Sequence, residues 1–203
     1  MRPSELISFL GIIEKLKCNT RHSWTSSGRH ESVAEHSWRL AVIALLLKDE
    51  FPDIDNQKVI KMCLVHDFGE AITGDIPYFD KKTSDEKHED NEVDKLIDTL
   101  HETQKNEISA LFLEMREMKT TEAKLVKALD KLEAVISHNE ADISTWIPLE
   151  YELNLTYGED ECRDFEFLVK LRKILKDISL KKLLKIKGSN KMPYINLSQE
   201  EDK

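Results

Sequence analysis

Apolar residues return every three or four positions through almost the whole chain, and this is the period of a helix with one buried face. Residues 4–16 place Leu6, Phe9, Leu10, Ile13 and Leu16 on such a face, and the stretch from Val33 to about Glu50 repeats the pattern with Leu40, Ile43, Ala44 and Leu47. Further helices are expected over about 56–68, 84–101, 106–118, Thr121–Asn139 and Glu161–Leu184. The strongest is Thr121–Asn139, where Ala123, Val126, Leu129, Leu132, Ala134 and Val135 lie close to one face. With 6 Gly and 5 Pro in 203 residues, the chain has few of the turn formers that a many-stranded sheet needs. The expectation is an all-α, single globular bundle of about seven or eight helices.

The punctuation supports these boundaries. Ser32 followed by Glu35 is a capping box for the second helix, and Phe51-Pro52 stops it. Asp55 caps the third. Asn19 to Ser32 is polar and reads as a loop, and Trp146-Ile-Pro breaks the pattern before the last helix. Gly69 and Gly74 confine Glu70 and Asp75 to a short helical turn or loop. Asp80 to Asp90 is densely charged and is expected to be exposed, and the acidic run DEKHEDNEVD is read as a solvated helix start or, alternatively, as a segment folded over the functional pocket. Neither an internal repeat nor a composition shift divides the chain, so one domain is expected over 1–185, with a frayed tail over 186–203.

Charge and cysteine usage exclude several functions. Thirty-nine acids against 30 bases give a formal charge of -9, which makes the chain a poor binder of nucleic-acid polymers. A small anion held by a metal or a few arginines is still compatible. Cys18, Cys63 and Cys162 are far apart and form no CxxC, which fits neither a disulfide framework nor a thiolate zinc site. The first helix is interrupted by acids and has no cleavage signal, and no apolar run approaches the roughly 18–20 residues of a membrane span. A cytoplasmic protein without a membrane partner is the expectation.

Three core-like helices nevertheless carry metal-capable groups. His36 lies one turn into the second helix in ESVAEHSWRLA, His66 and Asp67 end the third in LVHDFGEAITGD, and Asp130 interrupts the apolar run of KALDKLEA. A carboxylate among buried neighbours is uncommon unless it is paired or ligated. Two imidazoles and two carboxylates make a mixed nitrogen and oxygen set suited to one divalent transition ion per chain, Mn, Co, Fe, Ni or Zn.

His…His-Asp…Asp across three helices, in these longer strings, resembles the HD-domain metal-dependent phosphohydrolases, and among them the bacterial 5'-deoxynucleotidases and their eukaryotic relatives. The resemblance covers about residues 5–180. It implies a helical HD-domain fold, a divalent ion held by His36, His66, Asp67 and Asp130, hydrolysis of deoxynucleoside 5'-monophosphates to nucleoside and phosphate, and a homodimer. Arg21 matches the family's phosphate-binding arginine, Arg29 another basic position, Glu70 the acid one turn after the His-Asp pair, and Asp75 the acid of the TGD string. Where the bacterial relatives place tryptophan beside the arginine, this chain has His22, with Trp24 two residues on. That difference bears on sugar and base selectivity, and Trp24 is counted with Arg21 and Arg29 as a substrate contact.

By this reading Arg21 forks onto the phosphate. Glu70 orients the attacking water or carries its proton, on the same face as His66 if the helix runs on through Gly69. Asp75 contacts the sugar or protonates the leaving oxygen. The remaining histidines, His22, His30, His88, His101 and His138, have no partner pattern, and Trp38 is expected in the core. A related substrate such as a nucleoside triphosphate, alarmone or cyclic dinucleotide, a non-catalytic metal or nucleotide sensor, and a plain helical interaction protein are the competing readings. The set Arg21, Glu70 and Asp75 counts against a sensor.

Overall fold

Helix α1 (Pro3–Ile13) opens on a proline, whose fixed φ suits the first turn, and runs into a short 3-10 turn over Glu14–Lys17. The structure, a computed structural model, describes residues 1–187. The polar stretch expected as a loop instead forms a hairpin, β1 (Thr20–Trp24) against β2 (His30–Ser32), with Thr20 opposite Ser32 and Trp24 opposite His30. The polar side chains hid it: its strands are short, irregularly paired, and reversed by Gly28 at φ 82°. Ser32 ends β2 and caps α2 (Val33–Leu46). Its hydroxyl accepts from the Glu35 backbone N–H, and the Glu35 carboxylate returns a bond to the Ser32 N–H at 2.9 Å.

Along α2 the buried residues are Val33, His36, Ser37, Leu40, Ala41 and Ala44, so His36 is part of the core stripe. Trp38, expected in the core, points out of it and is 64% exposed, because it lies off that stripe. Asp55 caps α3 (Asn56–Val65) by accepting from the Lys58 N–H at 3.1 Å. This helix buries Val59, Met62, Cys63 and Val65, while Leu64 is exposed.

The helix stops at Val65 and does not run on to 68. Residues 66–69 form turns, and a four-residue helix α4 (Glu70–Thr73) restarts from Gly69. Gly69 has an ordinary helical φ, and its hydrogen matters for packing: a Cβ there would lie 2.5 Å from Glu89 Cγ and 2.9 Å from Val93 Cγ2. Those neighbours belong to α5 (Thr83–Asp98), which crosses tightly over this turn.

Helix α6 (Glu102–Glu117) ends with Met118 in the left-handed conformation, and Thr120 caps α7 (Thr121–Glu140). Helix α7 is central: it packs on α2, α3, α6 and β1. It also meets α9 (Glu159–Cys162) and α10 (Glu166–Lys187). A further helix, α8 (Glu150–Thr156), was not expected, and the last long helix starts at Glu166, not Glu161. Gly158 separates α8 from α9 at φ 82°, where a Cβ would meet Lys131 Cβ at 2.8 Å.

The described residues thus form eight helices of seven residues or more, with a main core in which Leu40, Met62, Leu129, Leu132 and Leu168 are essentially inaccessible and a smaller cluster of Leu16, Val33 and Ala71 under α1. Burying each such side chain contributes about 1.5–3 kcal/mol. No described helix is long and apolar enough to cross a membrane. Of the tail expected over 186–203, positions 186 and 187 still belong to α10, and the rest lies outside the described residues.

Candidate metal centre

Packing α2, α3 and α7 together brings His36, His66, Asp67 and Asp130 to one place. His36 Nε2 lies 3.2 Å from Asp130 Oδ1 and 3.8 Å from Asp67 Oδ2, and His66 Nε2 lies 3.1 Å from Asp67 Oδ2. None of the three atoms His36 Nε2, His66 Nε2 and Asp67 Oδ2 has an aligned hydrogen-bond partner, although all are buried. Such atoms cost about 1–3 kcal/mol each when left unsatisfied. Donors about 2.0–2.2 Å from a shared cation stand some 3–4 Å from one another, which is the spacing seen here. The donor set therefore fits a divalent ion.

Each imidazole is also held from behind. His66 Nδ1 donates to the Cys63 carbonyl at 2.9 Å. His36 Nδ1 faces Glu133 Oε2, with both residues wholly buried. With Nδ1 committed on each ring, Nε2 is the free nitrogen on both, and both point at the carboxylates. Arg39 Nε in turn donates to the other Glu133 oxygen at 2.6 Å, and Ser137 Oγ donates to Glu133 and to Glu31 at 3.2 and 3.3 Å.

Glu133 and Glu31 escaped the sequence reading. For Glu133 the signal was available, since it stands between Leu132 and Ala134 in the apolar run that drew attention to Asp130. Glu31 lies in a polar stretch and gave none.

Burial opposes the charges on Asp67 and Asp130, but the facing imidazoles and the Arg21 guanidinium prevail. His66, His36 and Arg21 hold Asp67 at about 2, and His36, His66 and Arg21 hold Asp130 well below the usual carboxylate range. Both are anionic at neutral pH, as ligands must be. Glu70 behaves in the opposite way: burial, then repulsion from Asp67 and Asp75, push it well above its ordinary value. Its Oε2 is buried without a partner. Because α3 ends at Val65, Glu70 reaches the site from the start of α4 and not from a continuous helix.

His66, Asp67 and Asp130 open into a cleft of about 530 Å³ that Arg21, Glu70, Asp75, Lys81, Glu89 and Tyr157 help to line. That is large enough for a small ligand. Arg21 projects from β1, with Nη1 3.9 Å from Asp67 Oδ2 and Nε 3.6 Å from Glu31 Oε2. Burial disfavours its charge, yet the carboxylates of Glu133, Asp67 and Asp130 hold it protonated. Lys81, which the sequence reading passed over, pairs with Glu89 at 2.6 Å on the same wall. The acidic run expected to be solvated thus places Glu86, Glu89 and Asp90 on the cleft wall.

Two sequence candidates are not brought here. Arg29 is largely exposed and pairs with Glu35 at the start of α2, and Trp24 stacks on His30 with ring centroids 4.0 Å apart. Neither lines the cleft. Conversely, His22 and His138, read as lacking partners, both face Glu150.

A family model described as HD domain matches residues 13–167. The 5'-deoxynucleotidase HDDC2 of Dictyostelium discoideum is 37% identical over 147 residues, which span 68% of this chain and 77% of that protein. The 5'-deoxynucleotidase hdd1 of Schizosaccharomyces pombe is 34% identical over 138 residues, 64% of this chain and 69% of its own. Among solved structures, one described as a predicted metal-dependent phosphohydrolase from Magnetospirillum magnetotacticum superposes with a TM-score of 0.75 at 28% identity, covering 89% of this chain and 94% of that one.

Proposed function

The chain belongs to the HD-domain family, and from that premise we propose that it is a divalent-metal-dependent 5'-nucleotidase that releases phosphate from deoxynucleoside 5'-monophosphates. The carrying observation is the convergence of His36 Nε2, His66 Nε2 and Asp67 Oδ2, buried and without partners, beside Asp130 and Arg21. We assign His36, His66, Asp67 and Asp130 as the residues that hold the ion. When bound, it supplies Lewis acidity toward the phosphoryl group and a reactive water at neutral pH.

The remaining steps belong to the side chains. Arg21 binds the phosphate oxygens and offsets the charge that accumulates on them. Its position on the short strand β1, beside the ligands, supports this role. Glu70 orients the attacking water and takes up its proton, a role supported by its buried and unpartnered Oε2. Asp75, raised above its ordinary value by burial, is suited to contact the sugar or deliver a proton to the departing 5'-oxygen.

Homodimer formation belongs to the same reading. Trp38, Leu45 and Leu46 share one side of α2 and are 64%, 53% and 73% exposed, an apolar strip suited to a second copy. A cytoplasmic location fits the three unpaired cysteines. Phosphate release from a panel of nucleoside mono-, di- and triphosphates with Mn, Co, Mg and Zn tests the assignment. Deoxynucleoside monophosphates should be the best substrates, and turnover confined to triphosphates would overturn it.

A further inference from the structure

A second cavity lies on the far side of Arg21, and Arg21 and Asp75 line both. Its walls include Tyr78, Phe79 and Tyr157, and His22, His138 and Glu150 also face it. One nitrogen from each of these imidazoles and one Glu150 oxygen lie within 4.8 Å of one another.

The hydrogen bonds decide which atoms are free. Glu150, 2% exposed, accepts from the Ile147 N–H through Oε2 at 2.8 Å, which leaves Oε1 aimed at the histidines. His138 Nδ1 lies 2.8 Å from the Ala134 carbonyl, which can only accept, so Nδ1 donates there and Nε2 is the nitrogen turned to Glu150. That nitrogen lies 2.6 Å from Glu150 Oε1, within hydrogen-bond distance. His22 Nε2 approaches the same oxygen at 3.1 Å, is buried, and makes no hydrogen bond. One Glu150 oxygen thus faces two imidazole nitrogens, a cluster that either protons on the rings or a single bound cation would satisfy.

We propose that His22, His138 and Glu150 form a second metal site, for a transition ion of the zinc and cobalt class, sharing no ligand with the first. Two imidazole nitrogens and one carboxylate oxygen are a three-ligand set that leaves the fourth tetrahedral position open. The same cavity is lined by Asn154, 4% exposed, whose buried Nδ2 has no hydrogen-bond partner. The ion also ties β1 to α7 and α8, and so fixes Arg21, the residue before His22.

Cobalt uptake by the dialysed full-length chain tests this apart from the first site, read as bound metal by mass spectrometry and as visible Co(II) absorption. Wild type should hold about two ions per chain, Asp67→Ala about one, and Asp67→Ala/His22→Ala none. His138→Gln serves as an independent ligand variant, with far-UV circular dichroism confirming that each protein is folded. The second site is overturned if folded Asp67→Ala takes up no cobalt, or if its ion survives both His22→Ala and His138→Gln. A wild type with about one ion, kept in Asp67→Ala and lost in His22→Ala, would support this site and sink the first.

Discussion

His36 and Glu133 are 97 residues apart in sequence, and they form a pair with no exposure to solvent, in which the imidazole Nδ1 meets a carboxylate that Arg39 also grips. The pair fixes the ring's tautomer and aims Nε2 at the cleft. Glu133→Gln keeps an acceptor but removes the charge that makes His36 a better donor to a cation. Affinity for the ion should fall about 10–100-fold, measured by competition with a chelator. Unchanged affinity would reduce the pair to a packing device.

Asp67 and Glu70 should separate in their effects. Asp67→Ala removes a carboxylate assigned to the ion and should abolish ion binding at this centre together with turnover. Glu70→Gln should retain that ion and lose about 10²–10⁴-fold in kcat, the usual worth of a positioned proton acceptor. Full activity in Glu70→Gln would remove the proton-transfer role.

Arg21→Lys keeps the charge and loses the fork. KM for the nucleotide should rise about 10–100-fold, equivalent to one hydrogen bond to a charged group at about 1.5–3 kcal/mol. Steady-state kinetics at fixed metal concentration would show this, and an unaltered KM would remove Arg21 from phosphate binding.

Glu35 links stability to pH. The Arg29 guanidinium, then the Ser32 N–H, lower its carboxyl from 4.5 to about 2 in the folded chain. A depressed folded value means the contribution is present above pH 4.5 and is lost as pH falls toward 2. The difference in denaturation midpoint between wild type and Glu35→Gln should therefore shrink over that interval. Arg29→Ala should weaken the same cap and leave KM unchanged, and a raised KM would restore Arg29 as a substrate contact.

Gly69→Ala inserts a methyl group where Glu89 and Val93 leave no room. It should cost about 1–3 kcal/mol in urea unfolding, as overpacking does. Because Glu89 lies on the cleft wall, kcat/KM should fall as well.

The helices were legible wherever the apolar repeat ran long, as in α7 and α2, and wherever a cap marked the start, as at Ser32 and Asp55. The four residues assigned to the ion stood out because each is polar at an apolar position or beside one. The hairpin was hidden because its strands carry polar side chains and pair over few residues. The stop at Val65 was hidden because His66 and Gly69 both keep helical backbone angles while the hydrogen-bond pattern changes. The His22, His138 and Glu150 cluster could not be read at all, since a strand, a helix and a helix start meet only through tertiary packing.

Of the four side chains assigned to the first ion, the earliest is residue 36 and the latest residue 130. A ribosome that has released α2 and α3 has delivered the imidazoles and one acid, but the cation has no closed cage until α7 emerges and docks. On this assignment metal capture would be a late event in biosynthesis, and whatever free energy it contributes would be reserved for chains that have completed their fold.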